Sequence, residues 1–337
     1  MGVPIFFVIS AFLLYRPYVA SRIAGSPSIG TAGFFARRAL RIIPAYWLAL
    51  LGVLVYLGFT ASAIQDALLA MFFLQAYRPE TIFVLIPGAW SLCVEVAFYL
   101  VLPLYAVIVR PWANGPEGLR RELLLLAAIA VASVVFRGAV EITAGRSVWG
   151  GATVPGTAMW FAVGMAAAVV SVGSESGDLR GRLVEWITER SAAMWWSLAL
   201  LLFVAVNIPF TAEPPFDPVD PPQANVPADL ARYVLYGLIA GCVLAPAVFA
   251  TSQRSWIRRL LALPSLAWLG VISYGIFLWH DLMFDVFADG ADLDPRGIAL
   301  AGMATVGCAA FSYYLVERPL LRHKPGVGKR ARQDSNL

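Results

Sequence analysis

Two arginines three residues apart, Arg38 and Arg41, stand in the stretch FFARRALRIIPAYW. On a helix that spacing puts both guanidinium groups on one face, where their planar forks suit the paired oxygens of a phosphate. Beside Arg37 they serve equally well as a basic anchor for a helix entering the cytoplasmic leaflet. A carboxylate, Glu95, lies well inside the apolar stretch WSLCVEVAFY. At that depth it costs about 2.5–3.5 kcal/mol on insertion scales, so it needs a partner or a wet cavity. Either it is functional or it belongs to a structural ion pair, with Arg137 as one intramembrane candidate. His280 and Asp281 fall in ISYGIFLWHD. An imidazole there acts as a base or binds a sugar; beside Trp279 it is equally an aromatic-belt residue satisfied by water. In SYYLVERPL, Glu317 and Arg318 end the last apolar block. The proline after them is ordinary punctuation.

The elements that must position these groups are apolar. The chain is 60% hydrophobic and 14% charged, against roughly 25% charged for a soluble domain. Blocks near the ~20 residues needed to cross hydrocarbon recur from end to end. We read spans at 3–20, 42–60, 89–110, 122–142, 153–173, 192–209, 228–250, 265–287 and 297–316, which makes an all-α polytopic transmembrane bundle of about nine spans. The block 62–77 is too short and carries Asp66, so it reads as a re-entrant or interfacial segment. The first block has neither a basic leader nor a small-residue cleavage site, which argues against a signal peptide. Cys93, Cys242 and Cys308 sit in apolar blocks and read as small core or lipid-facing residues rather than disulfides. His280 and His323, the two histidines, are too few and too far apart for a metal site. A net charge of +4, gathered in short loops, fits membrane orientation and not nucleic acid.

The loops sort by charge. Arg16, Arg22, Arg37, Arg38 and Arg41 surround the first turn-around; Asp66, Arg78 and Glu80 occupy the next; Arg110, Arg120 and Arg121 follow. Later, the acidic Glu213, Asp217 and Asp220 of a proline-rich loop give way to Arg254, Arg258 and Arg259. These are followed by Asp289, Asp292 and Asp294, and then a basic tail. Only the loop 174–191, of mixed sign, is uninformative. The alternation predicts a cytoplasmic C-terminus and residue 1 on the outer side. An N-terminus placed there predicts one further span upstream.

In this order, GVPIFFVISAFLL, RRALRIIPAYW, WSLCVEVAFY, ISYGIFLWH and SYYLVERPL resemble the signatures of the acyltransferase-3 family of integral membrane O-acyltransferases. The resemblance covers about residues 2–320 and implies a single membrane domain over 1–320, with 321–337 a disordered basic cytoplasmic tail. It also implies a bacterial inner-membrane enzyme that moves an acyl group, often acetyl, from cytoplasmic acyl-CoA to a hydroxyl of a sugar or glycosylated product. Acyl-CoA would be a donor substrate, and no cofactor would be held permanently. By the same resemblance Arg38 and Arg41 bind the donor, Glu95 and His280 are the catalytic candidates, and Trp90, Tyr46 and Tyr274 line the substrate cavity. Pro4 stands where many members have Asp, and Ala11 where most have Gly. The span beginning at residue 3 resembles the family's second, and the histidine of the first span has no counterpart in this sequence. The expectation is a catalytically incomplete chain with an apolar groove beside residues 3–20. A transporter or flippase for a lipid-linked or small substrate is the alternative, since intramembrane Glu and Arg also line transport pathways. Transporters commonly carry internal repeats, and none is evident here.

Overall fold

The computed structural model describes residues 1–27, 29–144, 151–208, 225–249, 256–288 and 294–322. The helices are α1 (Gly2–Ile23), α2 (Thr31–Tyr56), α3 (Ala61–Met71), α4 (Trp90–Val109), α5 (Gly115–Ala144), α6 (Val154–Ser176), α7 (Arg182–Glu189), α8 (Ala192–Val206), α9 (Val226–Phe249), α10 (Trp256–Leu261), α11 (Pro264–Phe287), α12 (Pro295–Ser312) and α13 (Arg318–Arg322). A π-helical turn, Tyr313–Glu317, joins the last two. Among the described residues, eight helical segments are long and apolar enough to cross a membrane. The span expected at 192–209 is instead a 15-residue helix, about 22 Å long and short of a ~30 Å hydrocarbon core. The segment read as interfacial is short as expected: Thr60 caps α3, its side chain accepting from the Ala63 amide, and a 3-10 turn follows at Gln75–Tyr77. α5 starts at Gly115, well before the expected 122, so Glu122 lies inside a helix and not at its edge. The basic tail with His323 and most of the proline-rich loop lie outside the described residues.

The chain divides into two compact units, Met1–Ser28 with Val94–Leu263, and Ile29–Cys93 with Pro264–Leu337. In the first, α1 lies directly against α6. A Cβ on Gly164 would fall against the Val8 carbonyl oxygen, 2.8 Å from Ala11 Cβ and 3.0 Å from the Phe12 nitrogen. Small residues that let two backbones touch are the usual means of packing helices where lipid gives no hydrophobic drive. Phe7 and Phe98 both stack on Phe161, with centroids 4.6 and 4.0 Å away. Farther along, Ser133 of α5 donates to the Pro155 carbonyl and meets the Tyr233 hydroxyl, while Trp160 donates to the Tyr233 carbonyl. Gly164→Ala is therefore expected to cost about 1–3 kcal/mol by overpacking, seen as a lower thermal midpoint in detergent. A midpoint equal to wild type would mean that α1 and α6 separate at no cost.

In the second unit, α11 and α12 run antiparallel. Gly275 faces Ala309, whose Cα lies 2.9 Å from where a Cβ would be, and Gly297 faces the Phe287 carbonyl. α2 runs parallel to α11: the Tyr274 hydroxyl donates to the Ile42 carbonyl at 3.0 Å, and farther on Gly52 sits under the Trp279 ring, 2.6 Å from a Cβ position.

Candidate functional site

α2 carries its arginines in its first three turns, Arg38 half-buried and Arg41 exposed. One residue after Arg41 the helix is gripped through its backbone by Tyr274. Arg41 lies close enough to Glu317 for its charge to act on that carboxylate, which is 4% exposed. Tyr46, one turn beyond, is fully buried. Its ring stacks on Phe73 at 4.8 Å, and its hydroxyl accepts from Gln75 Nε2 at 2.9 Å. Tyr46 is thus core packing with a satisfied hydroxyl, whereas Tyr274 is a strut between two helices.

His280 lies six residues beyond Tyr274, about 9 Å farther along α11 and in the direction in which α2 also runs. Its Nδ1 is 2.7 Å from the Phe277 carbonyl. A carbonyl only accepts, so this contact assigns the proton to Nδ1 and leaves Nε2 as the nitrogen able to take one. Nε2 faces Asp281 Oδ1 at 3.2 Å. The other carboxylate oxygen accepts from the Gly88 amide at 3.3 Å, in the turn Pro87–Ala89 that leads into Trp90. A Cβ at Gly88 would meet the Phe277 ring at 3.2 Å, so the turn packs closely on α11. His280, Asp281 and the half-buried Trp90 are thereby gathered at one place in the second unit.

Glu95 belongs to the first unit and is 3% exposed. A partner from another span was expected, and Ser10 of α1 supplies one, donating to Oε1 at 2.6 Å. Arg137 is engaged by Glu141 one turn away at 3.2 Å, with its guanidinium 4.8 Å over the Tyr233 ring.

Sequence reasoning missed a buried charge network in the same unit. Glu122 of α5 accepts from the Tyr15 hydroxyl and pairs with Arg22 in the last turn of α1. Tyr105 meets the Tyr15 ring edge-on at 5.5 Å. The Glu122 side chain is fully buried, and that of Arg22 is 3% exposed. One signal was available: Tyr15, Tyr18 and Arg22 follow an i, i+3, i+7 pattern that places them on one helical face. Nearer the surface, Arg16 Nη2 reaches both Glu175 oxygens at 2.9 and 2.8 Å. Among the described residues, no three His, Cys, Asp or Glu side chains converge as a metal ion would need.

A family model described as an acyltransferase domain matches residues 1–316. Nodulation protein 10 of Rhizobium leguminosarum bv. viciae is 29% identical over 95% of this chain and 82% of its own. The exopolysaccharide production protein ExoZ of Rhizobium meliloti is 29% identical over 95% of this chain and 89% of its own. The peptidoglycan O-acetyltransferase OatA of Listeria monocytogenes is 22% identical over 96% of this chain, which spans 51% of that longer protein. No solved structure matches.

Proposed function

Because the chain belongs to the acyltransferase-3 family and is an integral membrane acyltransferase, we propose that it carries an acyl group, acetyl in the simplest case, from cytoplasmic acyl-CoA to a carbohydrate hydroxyl. The observation that carries this reading is the course of α2 beside α11. Arg38 and Arg41 stand at one end of the pair and the His280–Asp281 group farther along it, on helices running the same way. The guanidinium forks grip the donor phosphates, and the pantetheine arm extends the thioester away from them toward His280. There the acceptor oxygen attacks the acyl carbon, a C–O bond forms, and the C–S bond breaks. The hydroxyl proton passes to the His280–Asp281 pair, which on this reading takes the part of the base for which the sequence offered no family histidine, and the CoA thiolate leaves to be protonated from solvent. Glu95, held by Ser10, is proposed as a polar wall of the first unit. Trp90 and Tyr274 are proposed to line the acceptor's path.

The carbohydrate acceptor is supported by two of the relatives, one an exopolysaccharide production protein and another a peptidoglycan O-acetyltransferase. The cytoplasmic donor side is supported by loop charge, and by the same rule the C-terminus is proposed to be cytoplasmic, the membrane being proposed as a bacterial inner membrane. The loop charges require α8 to cross with the longer helices despite its length: reporter enzymes fused after Arg121 and Arg259 then both read cytoplasm, and an outside signal at either overturns the scheme. The donor claim is tested by binding acetyl-CoA and acetyl-pantetheine, which has the same thioester without the phosphates. Each charge-assisted hydrogen bond contributes about 1.5–3 kcal/mol, so the trimmed donor is expected to bind at least ~10-fold more weakly. Equal affinities would remove the arginines from the donor site.

A further inference from the structure

The loop 174–191, whose mixed charges are silent on topology, folds around α7. α6 is capped at Gly177 and α8 at Ser191. α7 therefore joins the ends of two apolar helices, at the level where hydrocarbon gives way to headgroups. The helix is two-sided. Ile187 packs on the core shared by α8 and α9, whereas Arg182 and Glu185 are exposed. Trp186 lies on the border, meeting the Trp195 ring edge-on at 5.6 Å while remaining 41% exposed. An amphipathic helix with an indole at its edge is the pattern of a segment lying in the plane of the membrane interface.

Arg182, Glu185 and Trp186, spaced i, i+3, i+4, share one face of α7. Arg190, which caps the helix, turns back onto that face, its guanidinium carbon 5.4 Å from the Trp186 centroid. This cation–π contact holds the guanidinium over the ring, so less rotamer freedom is left to lose when a ligand binds. The four side chains border a cavity of about 400 Å³, within the roughly 300–1,000 Å³ of sites that hold small molecules. Two guanidinium groups and one carboxylate make an uneven lining. A site for a simple anion has no use for Glu185, since a carboxylate repels a phosphate. A headgroup with a phosphodiester and an ammonium uses all three charges: the forks take the phosphate oxygens, and the carboxylate accepts from the ammonium.

We propose that this cavity is a headgroup site for a zwitterionic aminophospholipid, phosphatidylethanolamine, with its phosphodiester on Arg182 and Arg190 and its ammonium on Glu185. Such a site is independent of the acyl donor and of the transfer step. The full chain, delipidated in detergent, is titrated with phosphatidylethanolamine, phosphatidylcholine and phosphatidylglycerol of the same acyl chains, and with soluble glycerophosphoethanolamine. Bound molecules are counted by native mass spectrometry. Phosphatidylethanolamine is expected to bind about 10-fold more tightly than phosphatidylcholine, whose quaternary nitrogen has no N–H to donate; one charge-assisted hydrogen bond suffices for that ratio. Glu185→Ala should abolish the preference. The Arg182→Gln/Arg190→Gln double variant should bind phosphatidylethanolamine at least ~10-fold more weakly. All three residues are exposed, so thermal midpoints are expected to stay at the wild-type value; if the double variant does not fold, Glu185→Ala decides alone. Equal binding of the three lipids, or a preference that survives Glu185→Ala, overturns the proposal and leaves α7 a general interfacial anchor. Unchanged phosphatidylethanolamine affinity in the folded double variant overturns it as well. Tighter binding of phosphatidylglycerol refutes the zwitterionic assignment, and glycerophosphoethanolamine bound as tightly as the lipid would refute the lipid itself.

Discussion

Replacing Glu122 with alanine is expected to destabilise the protein by about 3–5 kcal/mol, the cost of leaving half a buried ion pair. The Arg22 guanidinium is 3% exposed and its partner carboxylate not at all. Without Glu122 a full positive charge remains in a site closed to water, and the Tyr15 hydroxyl loses its acceptor as well. The low dielectric that makes the pair's attraction strong also makes the orphaned charge costly. The effect should appear as a large drop in thermal midpoint and in the yield of folded protein. Arg22→Ala is expected to do the same from the other side. The double replacement Arg22→Met with Glu122→Leu should recover most of the loss, because a buried pair and well-packed apolar residues of like volume are often equivalent. A Glu122→Ala protein as stable as wild type would show that the pair is solvated in the membrane.

The largest effect of a single substitution on donor use is expected from Arg41→Lys. The substitution keeps the charge and changes its shape, a planar five-donor fork becoming a compact ammonium. If the fork makes two parallel bonds to a phosphate, losing one costs about 1.5–3 kcal/mol, or roughly 10- to 100-fold in donor KM. Acceptor KM should not move. Steady-state kinetics with donor and acceptor varied separately make the distinction. An unchanged donor KM and kcat at normal expression would return Arg38 and Arg41 to the role of a membrane anchor.

The spanning helices were legible because hydrocarbon thickness sets a length and apolar runs reveal it. The short α8 was over-read: Asn207 and Pro209 follow its apolar run and are ordinary stop signals, and the helix ends at Val206. Glu122 was placed at an edge because Glu117, Arg120, Arg121 and Glu122 interrupt the hydropathy that marks a span. Its partner Arg22 is 100 residues away, beyond any local pattern. The π-turn was invisible for a related reason. Tyr313, Tyr314, Leu315 and Val316 read as continuous helix in either register, and only packing against α2 and α11 selects the one that buries Glu317. Arg38, Arg41 and Glu95 stand out in the sequence because charge in an apolar block is conspicuous. The contact between Asp281 and the Gly88 amide does not, since it joins a helix to a turn 193 residues away.

The most direct measurement reconstitutes the full chain in lipid vesicles with acetyl-CoA labelled in the acetyl group and a polysaccharide acceptor. The label is then followed into alkali-labile ester on the carbohydrate. The expected result is esterified polysaccharide, with the label transfer lost in the Arg38→Gln/Arg41→Gln double variant. Passage of unmodified carbohydrate across the bilayer, with no ester formed from acetyl-CoA, would contradict it and identify the protein as a transporter.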